Sequence, residues 1–265
     1  MTVTRGRPAL AWEAAGRATV VLDRSWWSWA GPHGGLLASL AVAAAEHAGS
    51  GQPVRELLAQ FLAPPGEGLV EVEVRSLRQG GSSSVLGVTL SSGPDVALAA
   101  TVLAGRSRPG RALAGVAAPA VPGPERCPSV ELPVDLVPFL QHLDFRPAKD
   151  TPLLGGGAQA EFVGWLRFRD GSTFDAQVLT VLVDALPPAV YAVITSPVPV
   201  PTVALSVQYT EPTSAPLSGW VLGRITTRSV GGGWCVDDSD LWAPDGQLLA
   251  SARQTRRMLE PTAQH

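Results

Sequence analysis

The chain has 265 residues, of which 45% are hydrophobic and 16% charged, which suits a well-packed globular protein of one large or two ordinary domains and excludes a disordered chain. A net charge of -3 with scattered arginines leaves no basic stripe, so nucleic acid is not an expected partner. Two cysteines without CxxC spacing and four histidines offer neither a disulfide framework nor metal-ligand spacing; no metal or cofactor is expected, and the reading is a soluble, cytoplasmic protein without a leader or membrane span.

In chain order, TVVL (19–22) reads as a strand, and GGLLASLAVAAAEHAG from Gly34 as a helix. PVRELLAQFLAPP, LVEVEVRSL, SVLGVTL and DVALAATVLAG are alternating or β-branched runs bounded by Gly, Pro and Ser, the signature of strands. Seven prolines without periodicity mark residues 104–138 as a connector. The pattern then recurs: AEFVGWLRFR as a strand, TFDAQVLTVLVDALPP as a helix, and four strands in VALSVQYTEP, WVLGRITTRSV, WCVDDSDLW and QLLASARQTRRM. PVRELLAQFLAPP overlies PTVALSVQYTEP at a shift of 148, with Pro64 meeting Pro212, and LAATVLAGR overlies LASARQTRR at a shift of 151. An internal repeat of this kind outranks local readings.

Each half is therefore a strand, an apolar helix and a four-stranded antiparallel meander. The expected units are 1–107 and 139–265, joined by a Pro-rich connector over 108–138. A helix apolar nearly all round must be buried on most sides, which a sheet curled about it provides. Pairing the two sheets edge to edge would cover otherwise exposed strand edges.

Asp184 is the only acidic or basic side chain of the Asp, Glu, His, Lys and Arg set between Asp175 and Glu211, in the apolar run VLTVLVDALPP. A carboxylate there is costly unless paired, solvated or used. The first half has no acid at the corresponding position, near Ala43, and has the His33-Gly34-Gly35 corner instead. The plain alternative for Asp184 is a helix cap before Pro187-Pro188, and for Gly34-Gly35 a simple turn. Glycines at a helix start would also let free amide N–H groups approach an anion or a polarised carbonyl. Trp26, Trp27 and Trp29 precede this corner, and most such rings are core packing. Trp29, nearest the glycines, is the candidate to line a pocket there and keep water off it.

GPHGGLLASLAVAAA, FDAQVLTVLVDALPPAV, PTVALSVQYTEP and DGQLLASARQ, in this order, resemble the acyl-CoA thioesterase II type and its thioesterase-like relatives over roughly residues 10–259. That resemblance implies an α+β double hotdog: two tandem units, each a curved antiparallel sheet around a central helix. It implies hydrolysis of an acyl-CoA or other acyl thioester by a water held between the units. The catalytic residues it points to are Asp184, Thr202 and Gln254, with substrate bound at His33, Gly34, Gly35 and Trp29 and the glycine corner polarising the carbonyl. Val54 and Leu103, apolar, stand opposite Thr202 and Gln254 in the repeat as aligned. A homo-oligomer is also implied. Two rival readings remain open: a double-hotdog dehydratase or hydratase using His33 and Asp184, and a non-catalytic acyl-CoA or lipid-binding protein.

Overall fold

The computed structural model describes residues 7–29, 31–49, 51–111, 113, 115–210 and 218–259; Glu211 and Pro212, used in the repeat alignment, lie outside them. The first half comprises β1 (Ala11–Ala14), β2 (Arg17–Leu22), α1 (Gly34–Ala48), β3 (Val54–Phe61), β4 (Gly68–Gln79), β5 (Ser83–Ser92) and β6 (Asp95–Gly105). The second comprises β7 (Leu143–Pro147), β8 (Glu161–Phe168), α2 (Ala176–Val183), β9 (Thr202–Tyr209), β10 (Val221–Gly231), β11 (Trp234–Trp242) and β12 (Leu248–Arg257). All twelve strands form one sheet in the order β1-β2-β4-β5-β6-β3-β9-β12-β11-β10-β8-β7, antiparallel at each junction.

This is an α+β double hotdog, with one departure from the expected meander. In each half only three of the four strands run as a meander, β4-β5-β6 and β10-β11-β12; β3 pairs with β6, not β4, and β9 likewise pairs with β12, not β10. The crossing helix carries the chain from one end of its half-sheet to the other, so the strand after each helix lands at the edge facing the other unit. That placement joins the halves. Leu58 of β3 pairs with Ser206 of β9, its own counterpart at the shift of 148, and the neighbouring pairs Leu57↔Val207 and Ala59↔Leu205 exchange partners about it. The repeat therefore closes on a pseudo-two-fold axis between β3 and β9. Two short strands, β1 and β7, were not read from the sequence; they cap the two outer ends of the sheet, where short edges limit further pairing.

The ladder also corrects the second register of the repeat. Leu57 opposes Val102 in the first half, and Leu205 opposes Gln254 in the second, so Gln254 corresponds to Val102 and not to Leu103. A one-residue slip on a strand reverses the face, and Val102 is fully buried like Gln254, which settles the alignment physically.

α1 is buried from Gly35 to Val42 and again at Ala44 and Ala45, as its all-round apolar character requires. α2 is shorter than expected: it is capped at its start by the Asp175 carboxylate on the Val178 N–H (2.7 Å) and ends at Val183, with Asp184 as C-cap. Both helices share one apolar core with the inward faces of both half-sheets. The connector is not a loose linker. Between β6 and a short helical turn at Pro124–Arg126 it lies on the outer face of the second unit, where the Trp242 indole donates to the Val116 carbonyl (2.8 Å) and the Trp165 indole to that of Pro122 (2.9 Å). Cys127, Val163, Trp165, Leu222 and Trp242 form a second apolar cluster beneath it, which explains why β8 is apolar on both faces. No helix among the described residues is long and apolar enough to cross a membrane.

Candidate active site

The corner that starts α1 is built by the tryptophan segment before it. Ser28 N–H donates to Gly31 C=O (2.7 Å) and His33 N–H to Trp26 C=O (2.9 Å), while Trp26 is buried and stacked on His142 at 4.0 Å. His33 is the N-cap: its Nδ1 accepts from the Leu36 N–H at 3.2 Å. With that lone pair engaged, the proton sits on Nε2, which donates to the Asp184 carbonyl at 3.1 Å. Burial, the largest cause, lowers the His33 pKa below its ordinary value despite the nearby Asp184, so the ring is neutral at pH 7.

The end of α2 meets the start of α1 at this point. Asp184 Oδ2 accepts the Gly35 N–H at 2.7 Å and lies 3.5 Å from His33 Nε2; Oδ1 accepts from Gln254 Nε2 at 3.0 Å. Thr202 Oγ1 donates to Gln254 Oε1 at 3.3 Å. The Asp184 side chain is only 8% exposed, and the turn its backbone caps is itself largely buried at Ala185 and Leu186. Capping and functional readings of Asp184 thus describe one residue: the backbone ends the helix and the carboxylate turns inward onto the other unit. Gly35 is fixed by packing as well as by its amide. A β-carbon there would sit 2.9 Å from the Thr180 carbonyl oxygen and 3.0 Å from Asp184 Cβ.

Six of the seven residues picked from sequence therefore converge: Asp184, Thr202, Gln254, His33 and Gly35 through hydrogen bonds, and Gly34 by proximity, since a β-carbon on it would lie 3.0 Å from Asp184 Oδ2. Two expectations are corrected. The Gly35 amide is not free, because the acid itself occupies it. Trp29 is 58% exposed and does not roof the site; the rings at the corner are Phe61, 3.3 Å from a β-carbon placed on Gly34, and Phe139, stacked on His33 at 4.0 Å. Around the buried His33, Gln254 and Asp184 carboxylate, Gly34, Phe61 and Thr202 are the partly exposed members.

Sequence reading missed two charged residues here. Arg256, with a side chain 6% exposed, places Nη1 2.8 Å from Thr202 Oγ1 and Nη2 3.6 Å from Asp184 Oδ1. Its Nε lies 2.9 Å from Oδ2 of the fully buried Asp237, close enough for an ion pair but without hydrogen-bond alignment. Asp237 Oδ1 also accepts from Thr227 Oγ1 at 2.7 Å. Period-2 counting from Gln254 puts Arg256 on the same inward face, and that was the available signal. The ladder bulges between Thr255 and Arg256, skipping Val203 on β9, and this sets Arg256 directly opposite Thr202. A groove of about 200 Å³ on the outer surface, lined by Asp144, Arg146, Arg167, Arg169 and Trp220 among others, shares no residue with this cluster.

Family models for the acyl-CoA thioesterase N-terminal domain match residues 23–105 and for the acyl-CoA thioesterase C-terminal domain residues 124–258. A search of curated protein sequences finds no match. Among solved structures, a protein of unknown function with a hot dog fold from Alicyclobacillus acidocaldarius is 23% identical with a TM-score of 0.89, covering 96% of this chain and 97% of that one. A candidate thioesterase II from Thermobifida fusca YX is 25% identical with a TM-score of 0.85 and 98% coverage of both chains. An acyl-CoA thioesterase II from Mycobacterium marinum is 20% identical with a TM-score of 0.78, covering 97% and 98%. With the two domain models spanning both halves and a buried acid seated between them, the chain belongs to the acyl-CoA thioesterase family.

Proposed function

We propose that this protein hydrolyses acyl-CoA thioesters to the free acid and the thiol, using a water activated by Asp184. The observation that carries the reading is the Asp184 carboxylate, buried between the two units and held on one oxygen by Gly35 N–H and on the other by Gln254. A carboxylate so fixed can take a proton from water as the water oxygen attacks the thioester carbon. The tetrahedral oxyanion then collapses, the C–S bond breaks, and the proton passes from Asp184 to the departing thiolate. Thr202 and Gln254 orient the water without competing for its proton. The Gly35 amide serves the acid, so the donor left for the thioester oxygen is the Gly34 N–H, the first of α1 and without an intrahelical acceptor.

The dehydratase reading needs His33 as acid or base, and its Nδ1 lone pair is committed to capping α1 while its Nε2 proton is committed to the Asp184 carbonyl. The test is release of free thiol from a ladder of acyl-CoA chain lengths by wild type and Asp184→Asn. Hydrolysis by wild type, reduced by about 10²-fold or more in the variant, is expected for loss of a general base. Hydration of an enoyl thioester in place of hydrolysis would establish the dehydratase, and acyl-CoA binding without turnover would establish a carrier; either overturns the proposal.

A further inference from the structure

We infer that Arg256 is a positioning residue of this site, one that sets the direction of its hydrogen-bond chain and supplies the countercharge to Asp184. The inference rests on the hydrolase reading for its kinetic consequences and on geometry for the rest.

The chain Arg256, Thr202, Gln254, Asp184 has one donor sense throughout. A guanidinium only donates. Its Nη1 therefore gives a hydrogen bond to Thr202 Oγ1 (2.8 Å), and the threonine proton is directed to Gln254 Oε1 (3.3 Å). With its oxygen so engaged, the glutamine presents Nε2 to Asp184 Oδ1 (3.0 Å), which accepts. Were the arginine absent, the hydroxyl could rotate and the amide could flip, and neither would hold a defined face to the acid. Nη2 stands 3.6 Å from Asp184 Oδ1, with no hydrogen-bond partner although it is buried. It is the cation nearest the acid.

The repeat gives an independent argument. Strand pairing matches Arg256 with Ala104, Gln254 with Val102, Thr202 with Val54 and Asp237 with Leu86, because Ala104↔Val54 and Leu86↔Val102 repeat as Arg256↔Thr202 and Asp237↔Gln254. All four positions are buried and apolar in the first half. The polar set occurs together in the half that carries the acid and is missing together from the half that does not. Arg256 and Asp237 thus belong to the same unit of design as Thr202 and Gln254. Asp237 holds Nε of the guanidinium from β11, offsetting the cost of burying the arginine.

The groups facing Asp184 are neutral His33 at the start of α1 and Gln254 and Arg256 from β12; Thr202 on β9 acts through Gln254, and Asp237 on β11 through Arg256. The test compares wild type, Arg256→Lys and the double variant Asp237→Asn with Arg256→Met, which avoids leaving a buried aspartate unpaired. Two readouts are taken: kcat and KM of acyl-CoA hydrolysis, and the solvent-exchange protection of the Gln254 side-chain amide protons by NMR, which reports whether that amide is held against Asp184. For the double variant the expected result is a kcat lower by on the order of 10²-fold at little-changed KM, and Gln254 amide protons that exchange faster than in wild type. Arg256→Lys, which keeps the charge and loses the fork, should lower kcat by less than the double variant does. Wild-type kcat and unchanged Gln254 protection in the double variant would overturn the inference; if that variant does not fold, unchanged kcat in Arg256→Lys would do so. If wild type itself hydrolyses no thioester, the functional reading fails, and Gln254 protection alone decides the role of Arg256.

Discussion

Replacing Gly35 by alanine tests the central contact of the molecule with one methyl group. In an ordinary helix this change would stabilise by up to about 1 kcal/mol, since alanine is the better helix former. Here the added carbon would lie 2.9 Å from the Thr180 carbonyl oxygen, 3.0 Å from Asp184 Cβ and 2.7 Å from His33 Cε1. Two of those atoms belong to α2 and its cap and cannot rotate away, so the helices must part; overpacking of this kind costs about 1–3 kcal/mol. Parting them lengthens the 2.7 Å bond from Gly35 N–H to Asp184, and a hydrogen bond to a charged group contributes about 1.5–3 kcal/mol. After subtracting the helix gain, the net loss is roughly 2–5 kcal/mol, which for a chain of this size lowers Tm by roughly 4–20 °C. Thermal unfolding by circular dichroism measures it, beside Gly34→Ala as comparator. At Gly34 the near atoms are Asp184 Oδ2 (3.0 Å) and the Phe61 ring (3.3 Å), both ends of side chains that can yield, so the loss there should be smaller. A Gly35→Ala protein as stable as wild type, or more so, would refute the close contact and with it the anchoring of Asp184.

Acidification should weaken the fold through histidine. Burial lowers the folded pKa of His33, and of His142 less deeply buried, so below about pH 6.5 the unfolded chain binds protons that the native state refuses, and stability falls as pH falls; unfolding at pH 5 and 7.5 with His33→Asn should show a flatter dependence than wild type. Cys235, whose thiol burial and the adjacent Asp237 push up to about 12, should resist alkylation at pH 8 in the native protein and react only on unfolding, read by mass spectrometry of peptides. Trp242→Phe removes the donor to the Val116 carbonyl at a cost of about 1–3 kcal/mol; limited proteolysis should then cut faster between residues 106 and 123 while thioester hydrolysis is retained, and unchanged cleavage would show that the connector is held elsewhere.

Much of the fold was readable because the relevant physics is local. Alternation in LVEVEVRSL and all-round apolarity in GGLLASLAVAAA state period and burial directly, and the repeat at a shift of 148 reappears as the Leu58↔Ser206 pair on the axis between the units. Strand order was not readable, because periodicity fixes which face a residue takes but not which neighbour a strand pairs with. The meander and the register of 151 failed on that account. Within the site, Asp184 stood out as a lone acid in an apolar run. Trp29 was misjudged because proximity in sequence to Gly34 does not place an indole over it, whereas Phe139, far along the chain, arrives through the first turn of the second unit.

The sequence alone determined two duplicated α+β units, their buried helices, and the asymmetry that left one acid in the second half facing a glycine corner in the first, since composition and period depend only on neighbours along the chain. The tertiary structure decided the rest. Pairing of β3 with β9 sets the two units in register, the bulge at Val203 brings Thr202 opposite Arg256, and the helix ends meet so that Gly35 N–H closes on Asp184. Those facts are long-range distances, fixed by how two packed surfaces fit, and no run of residues contains them.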